Sequence, residues 1–190
     1  KDMVPKEYYG RLFTKEQLPV NYHPEALTLE GMIKVDKQLR CKRCYSWIEE
    51  DWQLPGGQYY CRACIVFGRN QEGKELYYFP SKTSEIEFPV LKWFGELTPY
   101  QAKVSEKLLR TYQKQKDSLV HAVTGAGKTE MIYNIVAYVL ENKGHVAIAS
   151  PRVDVCRELF LRMKRDFTCS ISLLHAESEP YDGSPLVIAT

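Results

Sequence analysis

The chain has 190 residues, 44% of them hydrophobic and 12% aromatic, enough to bury one large core or two small ones. Its formal net charge of +2 supplies no global basic field that would by itself imply nucleic acid. The longest apolar run in the central helical stretch, Ile135 to Leu140, is six residues, far short of a membrane span, and the N-terminus shows no apolar signal-peptide core. The chain reads as soluble and intracellular, and a peripheral membrane association stays compatible with it.

Residues 1–40 are weakly informative and read as an N-terminal extension. Tyr8 to Phe13 and Pro19 to Pro24 suggest loop-rich backbone with a turn, and Met32 to Val35 a short strand. No function is assigned to them. Cys41, Cys44, Cys61 and Cys64 follow in the spacing C-x2-C-x16-C-x2-C. Two residues between paired cysteines let both sulfurs face one point, and a sixteen-residue excursion is about what a hairpin needs to return the second pair. Pro55-Gly56-Gly57 supplies the hairpin turn. Thiols kept reduced favour metal over disulfides, so residues 41–79 are predicted to be a four-cysteine zinc domain with a closed, structural shell. The rival reading is a pair of redox C-x-x-C motifs. Cys156 and Cys169 sit in apolar periodic segments and read as small core residues.

Positive charge is local: between Lys37 and Arg69 there are six basic and three acidic side chains. Lys42, Arg43 and Arg62, with Tyr45, Trp47, Trp52, Tyr59 and Tyr60 nearby, have the basic and aromatic mixture that suits single-stranded nucleic acid. The same aromatics would equally serve as the miniature core of a small zinc fold, and Glu49-Glu50-Asp51 would repel phosphate. Nucleic-acid contact and partner docking therefore both stay open for this unit.

Leu76 to Phe79 reads as one more strand, and 80–96 as a linker rich in Pro, Ser, Lys and Thr. Leu97-Thr98-Pro99-Tyr100-Gln101 then opens a helix: Thr98 as N-cap, Pro99 at the first helical position and Gln101 at the third make a capping box. Gln101 has a second candidate role, since a carboxamide can pair with the N6 and N7 edge of adenine.

Leu119, Val120, Ala122 and Val123 read as a buried strand that breaks into Thr124-Gly125-Ala126-Gly127-Lys128-Thr129, after which an apolar helix runs to about Asn142 with Gly144 as its cap. Strand, glycine loop, Lys-Thr and helix form a phosphate cradle. Glycines let backbone N–H groups close on phosphate, Lys128 would reach the β- and γ-phosphates, and the Thr129 hydroxyl would bind the bridging Mg2+. Ala122 stands where the usual pattern opens with Gly. The A-x-x-G-x-G-K-T form resembles that of superfamily 2 helicases.

His145 to Ala149 reads as a second buried strand, and Ser150-Pro151-Arg152 turns into a helix with Val155, Leu159, Phe160 and Met163 on one side. Ser170 to Leu174 and Pro185 to Ala189 read as two further strands. The alternation predicts an α/β fold with a parallel doubly wound sheet over 97–190, its ligand edge at the C-terminal strand ends near Thr124, Ser150, Pro151, His175 and Thr190.

On the four-cysteine unit before the cradle, Leu97 to Gln101, Ala122 to Thr129, Ala149 to Val155 and Leu186 to Thr190, the chain resembles the ComFA-type competence ATPases, superfamily 2 helicase-like motors of bacterial DNA uptake. That resemblance implies a partial RecA-like first motor domain that uses ATP and Mg2+, with Gln101, Ala122, Val123, Thr124, Gly125, Ala126, Gly127, Lys128 and Thr129 at the nucleotide. It implies single-stranded DNA as partner, with Ser150, Pro151 and Arg152 along its backbone. It further implies a cytoplasmic location at the inner face of the membrane, and contacts with an uptake pore and with other competence proteins, a phosphoribosyltransferase-like one among them; an oligomer is compatible. One departure stands out: the chain has no Asp-Glu dipeptide. A superfamily 2 motor needs that pair to hold magnesium and orient water. The chain is therefore expected to be a fragment that binds nucleotide and does not turn it over alone. Other readings are a replication-restart or restriction-type helicase motor, and a zinc-stabilised docking module whose nucleotide site only switches shape.

Overall fold

The structure is a computed structural model that describes residues 4–82, 85–123 and 125–190. Thr124 of the cradle lies outside the described residues. The chain divides into two units, Lys1–Lys82 and Thr83–Thr190.

The first unit holds five short strands: β1 (Leu12–Thr14), β2 (Leu27–Glu30), β3 (Met32–Val35), β4 (Gln38–Cys41) and β5 (Glu75–Tyr78). β5 runs antiparallel between β1 and β2, so Leu12–Thr14 and Leu27–Glu30 are built into one sheet with the far end of the unit. Side chains from residues 1–40 supply its core: Val4, Phe13 and Leu18 are buried against Tyr77 and Phe79, and the Tyr8 ring lies 4.9 Å from Phe13 and 5.5 Å from Phe79. β3 and β4 form a separate hairpin in which Val35 pairs with Gln38. Its two loop residues, Asp36 and Lys37, both have positive φ (47° and 73°). That geometry matches the twist of the flanking strands. β4 ends on Cys41, so the hairpin delivers the first metal-ligand candidate directly.

The second unit comprises α1 (Pro99–Gln113), α2 (Lys128–Met131), α3 (Tyr133–Glu141), β6 (Val146–Ala149), α4 (Val153–Asp166), β7 (Ile171–Leu174) and β8 (Leu186–Ala189). β8 is central and pairs in parallel with β6 on one side and β7 on the other. Mixed α/β structure with a parallel sheet is therefore present, as the alternation predicts. Leu186 and Ile188 are fully buried under α4 and α3 residues such as Met163, Cys156 and Leu140. The stretch read as a linker contributes to this core: Val90 is fully buried, Ile86, Leu91 and Trp93 pack beside it, and Lys92 N donates to Asp166 O at 2.8 Å. Tyr133 sits between the Trp93 and Phe167 rings, 5.4 and 5.2 Å away, while its hydroxyl donates to Asp166 at 2.6 Å. Arg165 beside Asp166 holds that carboxyl below the usual carboxylate range, and burial pushes the Tyr133 phenol up.

Four local expectations are corrected. Residues 119–123 form no strand; Leu119 is 96% and Val123 78% exposed. An apolar run becomes a strand only when a neighbour completes its hydrogen-bond ladder, and among the described residues none does. Asp117 to His121 lies instead beside Tyr100, Val104 and Leu108 of α1, around an open cavity of about 370 Å³. Second, β6 is half-exposed rather than buried, with Val146 and Ile148 turned in and Ala147 and Ala149 out. It is an edge strand, and its unpaired side borders an apolar trough of about 490 Å³ with Ile132, Ile135 and Val139. Third, the helix after the cradle is broken at Ile132 into α2 and α3. Fourth, the left-handed residue of its C-cap is Lys143 (φ 62°), with Gly144 one place later. Gly144 N reaches back to Val139 O and Lys143 N to Leu140 O, so two orphan carbonyls are satisfied.

Candidate nucleotide site and four-cysteine centre

In the first unit Cys41, Cys44, Cys61 and Cys64 converge, their Sγ atoms all within 4.8 Å of one another. The Cys41–Cys64 and Cys44–Cys61 separations are 3.8 and 3.5 Å. Four thiolates about 2.3 Å from a central zinc lie about 3.8 Å from one another, so the sulfur set fits a tetrahedral ion and is too open for disulfides. The hairpin between the knuckles turns at Pro55-Gly56-Gly57: Leu54 N donates to Gln58 O, and Gln53 pairs with Tyr59. Burial pushes the Cys61 and Cys64 thiols up; at Cys44 burial acts the same way, but hydrogen bonding with the Ser46 side chain and backbone outweighs it and brings the thiol down to about 6.

Two side chains serve these sulfurs. Arg43 donates to Cys64 Sγ from Nε (3.2 Å) and Nη2 (3.1 Å), and also to the carbonyls of Cys64, Phe67 and Gly68. It clamps the second knuckle from within the first. Asn70, 1% exposed, donates from Nδ2 to Cys41 Sγ at 3.2 Å and to Gly31 O at 2.6 Å. Such N–H···S bonds favour thiolates and orient metal ligands. The sequence places Arg43 with the surface cations; the structure uses it internally. Nothing in the sequence marks Asn70.

In the second unit α1 starts as its capping box dictates: Gln101 N donates to Thr98 Oγ1 at 3.3 Å, and Thr98 N to Gln101 Oε1 at 2.8 Å. The other half of the carboxamide reaches the glycine loop, Nε2 donating to Ala126 O at 3.0 Å. Gly127, at φ 70°, is held close below it, and a β-carbon there would collide with Gln101 Nε2. Lys128 is exposed and lies across the loop, Nζ donating to Val123 O at 3.1 Å, while Ala126 N closes the loop on the same carbonyl at 3.3 Å. Gln101, Ala126, Gly127 and Lys128 are thus brought together. Ala122, Gly125 and Thr129 continue the same loop, Gly125 also at positive φ (80°). Behind it, Arg162 of α4 pairs with Glu130 of α2 at 3.0 Å in a half-buried contact that the sequence does not announce.

Ser150, Pro151 and Arg152 follow the C-terminal end of β6, Pro151 and Arg152 exposed. Arg152 is paired: its guanidinium donates to both carboxylate oxygens of Asp154, Nε at 3.2 Å and Nη2 at 2.5 Å. A phosphate at Arg152 would have to share the guanidinium with that carboxylate.

Residues 94–181 match the family model for the type III restriction enzyme, res subunit. Over 98% of its length the chain is 54% identical to the competence protein ComFA of Streptococcus pneumoniae (strain ATCC BAA-255 / R6). The chain belongs to the ComFA-type competence proteins. It is also 32% identical, over 94% of its length, to the competence protein ComFA of Bacillus subtilis (strain 168). It spans 43% and 40% of those two relatives, about two fifths of each. No solved structure matches it. Among the described residues no helix is long and apolar enough to cross a membrane.

Proposed function

We propose that the chain carries the zinc-stabilised unit and the nucleotide-binding front of an ATP-driven, RecA-like translocase of single-stranded DNA that works in DNA uptake during competence. The observation that carries this reading is the convergence of Gln101 and Lys128 on one glycine loop through Ala126 O and Val123 O. Bound ATP with Mg2+ supplies the phosphoanhydride to be broken. The chain's own part is to hold it: loop amides and Lys128 on the phosphates, the Thr129 hydroxyl at Mg2+, and Gln101 at the base. Ala122, Val123 and Thr124 belong to the same nucleotide-binding set. The four cysteines hold Zn2+, and Ser150, Pro151 and Arg152 track the DNA backbone. The location that goes with this work is the cytoplasmic face of the membrane, beside an uptake pore and other competence proteins, including a phosphoribosyltransferase-like one. In the full-length protein, ATP hydrolysis should rise on adding single-stranded DNA. A rate indifferent to DNA would sink the translocase reading and leave a nucleotide-switched docking module.

The carboxamide of Gln101 keeps one N–H and one lone pair beyond its bonds to Ala126 and Thr98, enough for the two bonds adenine offers. Gln101→Glu keeps the capping box, because Glu closes it as well as Gln. It removes the donor to adenine N7, so the preference for ATP over 7-deaza-ATP, which lacks that acceptor, should drop about tenfold in the full-length protein. Competition between the two nucleotides measures this. An unchanged preference would reduce Gln101 to a helix cap.

Single-stranded DNA should bind more tightly than duplex, and its affinity should fall as salt rises because phosphate contacts release counterions. Asp154→Asn frees Arg152 and should strengthen binding and steepen that salt dependence. Labelled oligonucleotide titrated at two salt concentrations decides it; equal affinity for duplex would rule out a strand-tracking groove.

A further inference from the structure

Beside the first cysteine knuckle the planar side chains of Arg40, Tyr45 and Trp47 lie together, the guanidinium within cation–π reach of both rings. The Arg40 guanidinium carbon lies 5.4 Å from the Tyr45 ring centroid and 5.2 Å from that of Trp47. The backbone fixes the group: Arg40 and Trp47 are bridged across adjacent segments, and Arg40 Nε donates to Tyr45 O at 2.9 Å. Neither ring belongs to the core around the cysteines, which is formed by Met32, Leu39, Ile48 and Trp52. Tyr45 is 62% and Trp47 46% exposed. Tyr45 also stands at φ 61°, a left-handed conformation that is costly for a bulky residue. An aromatic residue held there, turned outward and contributing nothing to the core, points to a role in binding.

The chemistry of this group selects the partner. Two exposed aromatic rings beside a guanidinium offer flat faces to unstacked bases and charge to phosphates. A purely apolar protein segment gains nothing from the guanidinium, and an acidic one nothing from the rings. Duplex DNA keeps its base faces covered. The surrounding stretch from Lys37 to Arg69 has six basic against three acidic residues, and one of the three, Asp51, is already paired with Arg62 at 3.2 Å.

We propose that Arg40, Tyr45 and Trp47 form a base-stacking platform for single-stranded DNA on the four-cysteine unit. The platform rests on the single-stranded DNA reading above and adds a contact separate from Ser150 to Arg152. It gives the four-cysteine unit a direct hold on the strand in addition to a structural metal.

The test uses the full-length, zinc-loaded protein and a labelled oligothymidylate. Tyr45→Ala combined with Trp47→Ala should weaken binding about tenfold or more, since losing a stacking ring costs about 1–3 kcal/mol per base. Zinc content and melting should stay as in the parent, and Trp47→Phe should keep most of the affinity. Arg152→Ala serves as the comparison. If it weakens binding while the double variant binds like the parent, the DNA reading stands and the platform is wrong, with a protein partner the better occupant. If the parent binds no oligonucleotide, both fall. Photocross-linking of an iodouracil-substituted oligonucleotide to the unaltered protein covers the case in which the double variant does not fold. Adducts on Tyr45 or Trp47 support the platform, and adducts confined to residues 83–190 overturn it.

Discussion

Cys61→Ser should empty the metal site and unfold the four-cysteine unit, with zinc falling from about one per chain to none. The reason is how little else holds this part together. The buried residues of its cluster are Met32, Cys41, Cys61 and Cys64, so three of the four are the ligands themselves. The four thiols, within 4.8 Å of one another, form a set that could hold a metal ion. Binding free energy of a structural zinc, about 10–16 kcal/mol in zinc-finger peptides, is folding free energy. The loss should spread through β4, which ends on Cys41, and through Asn70, which ties Cys41 to Gly31. The second unit should be spared, because its core cluster draws only on residues 86–188. Metal analysis with a two-transition melt measures both halves of the effect. Full zinc content in the variant, or loss of the second transition with the first, would show that the metal is held differently.

How far the sequence shows this architecture depends on whether the information is local. The cysteine pairs carry their geometry in their spacing, and the capping box carries α1 in five residues, so both are legible. β7 and β8 are apolar runs that pair with each other, and periodicity finds them. Segment 119–123 has the same composition and no strand geometry, since a ladder needs a neighbour that composition does not name. Residues 1–40 look featureless because their strands β1 and β2 find their partner at β5, more than forty residues further on. Val90 and Trp93 hide in a stretch rich in Pro and Ser, which local propensity reads as linker although their side chains lie in the core. At the candidate sites the residues proposed for the chemistry are visible in the sequence and their supports are not. Arg43 looks like a surface cation until its carbonyl and sulfur partners are seen. Arg152 looks free until Asp154 is found on two of its donors.

Lys128→Ala in the full-length protein should abolish ATP hydrolysis while leaving the fold intact. Lys128 is exposed and its only described partner is Val123 O, at 3.1 Å, so its removal opens no cavity and strands no buried charge. Its amine is the one side-chain cation the glycine loop offers to a triphosphate. In the loose transition state negative charge builds on the oxygen bridging to the leaving β-phosphate, so a cation fixed beside the β- and γ-phosphates stabilises the transition state more than the bound nucleotide. Losing one such preorganised contact costs about 10²–10³ in turnover. Binding should weaken by less, because the loop amides and Gln101 remain. The 190-residue chain supplies the complementary measurement: with Gln101, Lys128 and Thr129 but no Asp-Glu pair, it should bind ATP weakly and hydrolyse essentially none. Labelled ATP in filter-binding and phosphate-release assays separates the two properties. Robust turnover by the 190 residues alone, or a Lys128→Ala protein that still hydrolyses ATP at the parent's rate, would mean that the chemistry is carried by other residues than this loop.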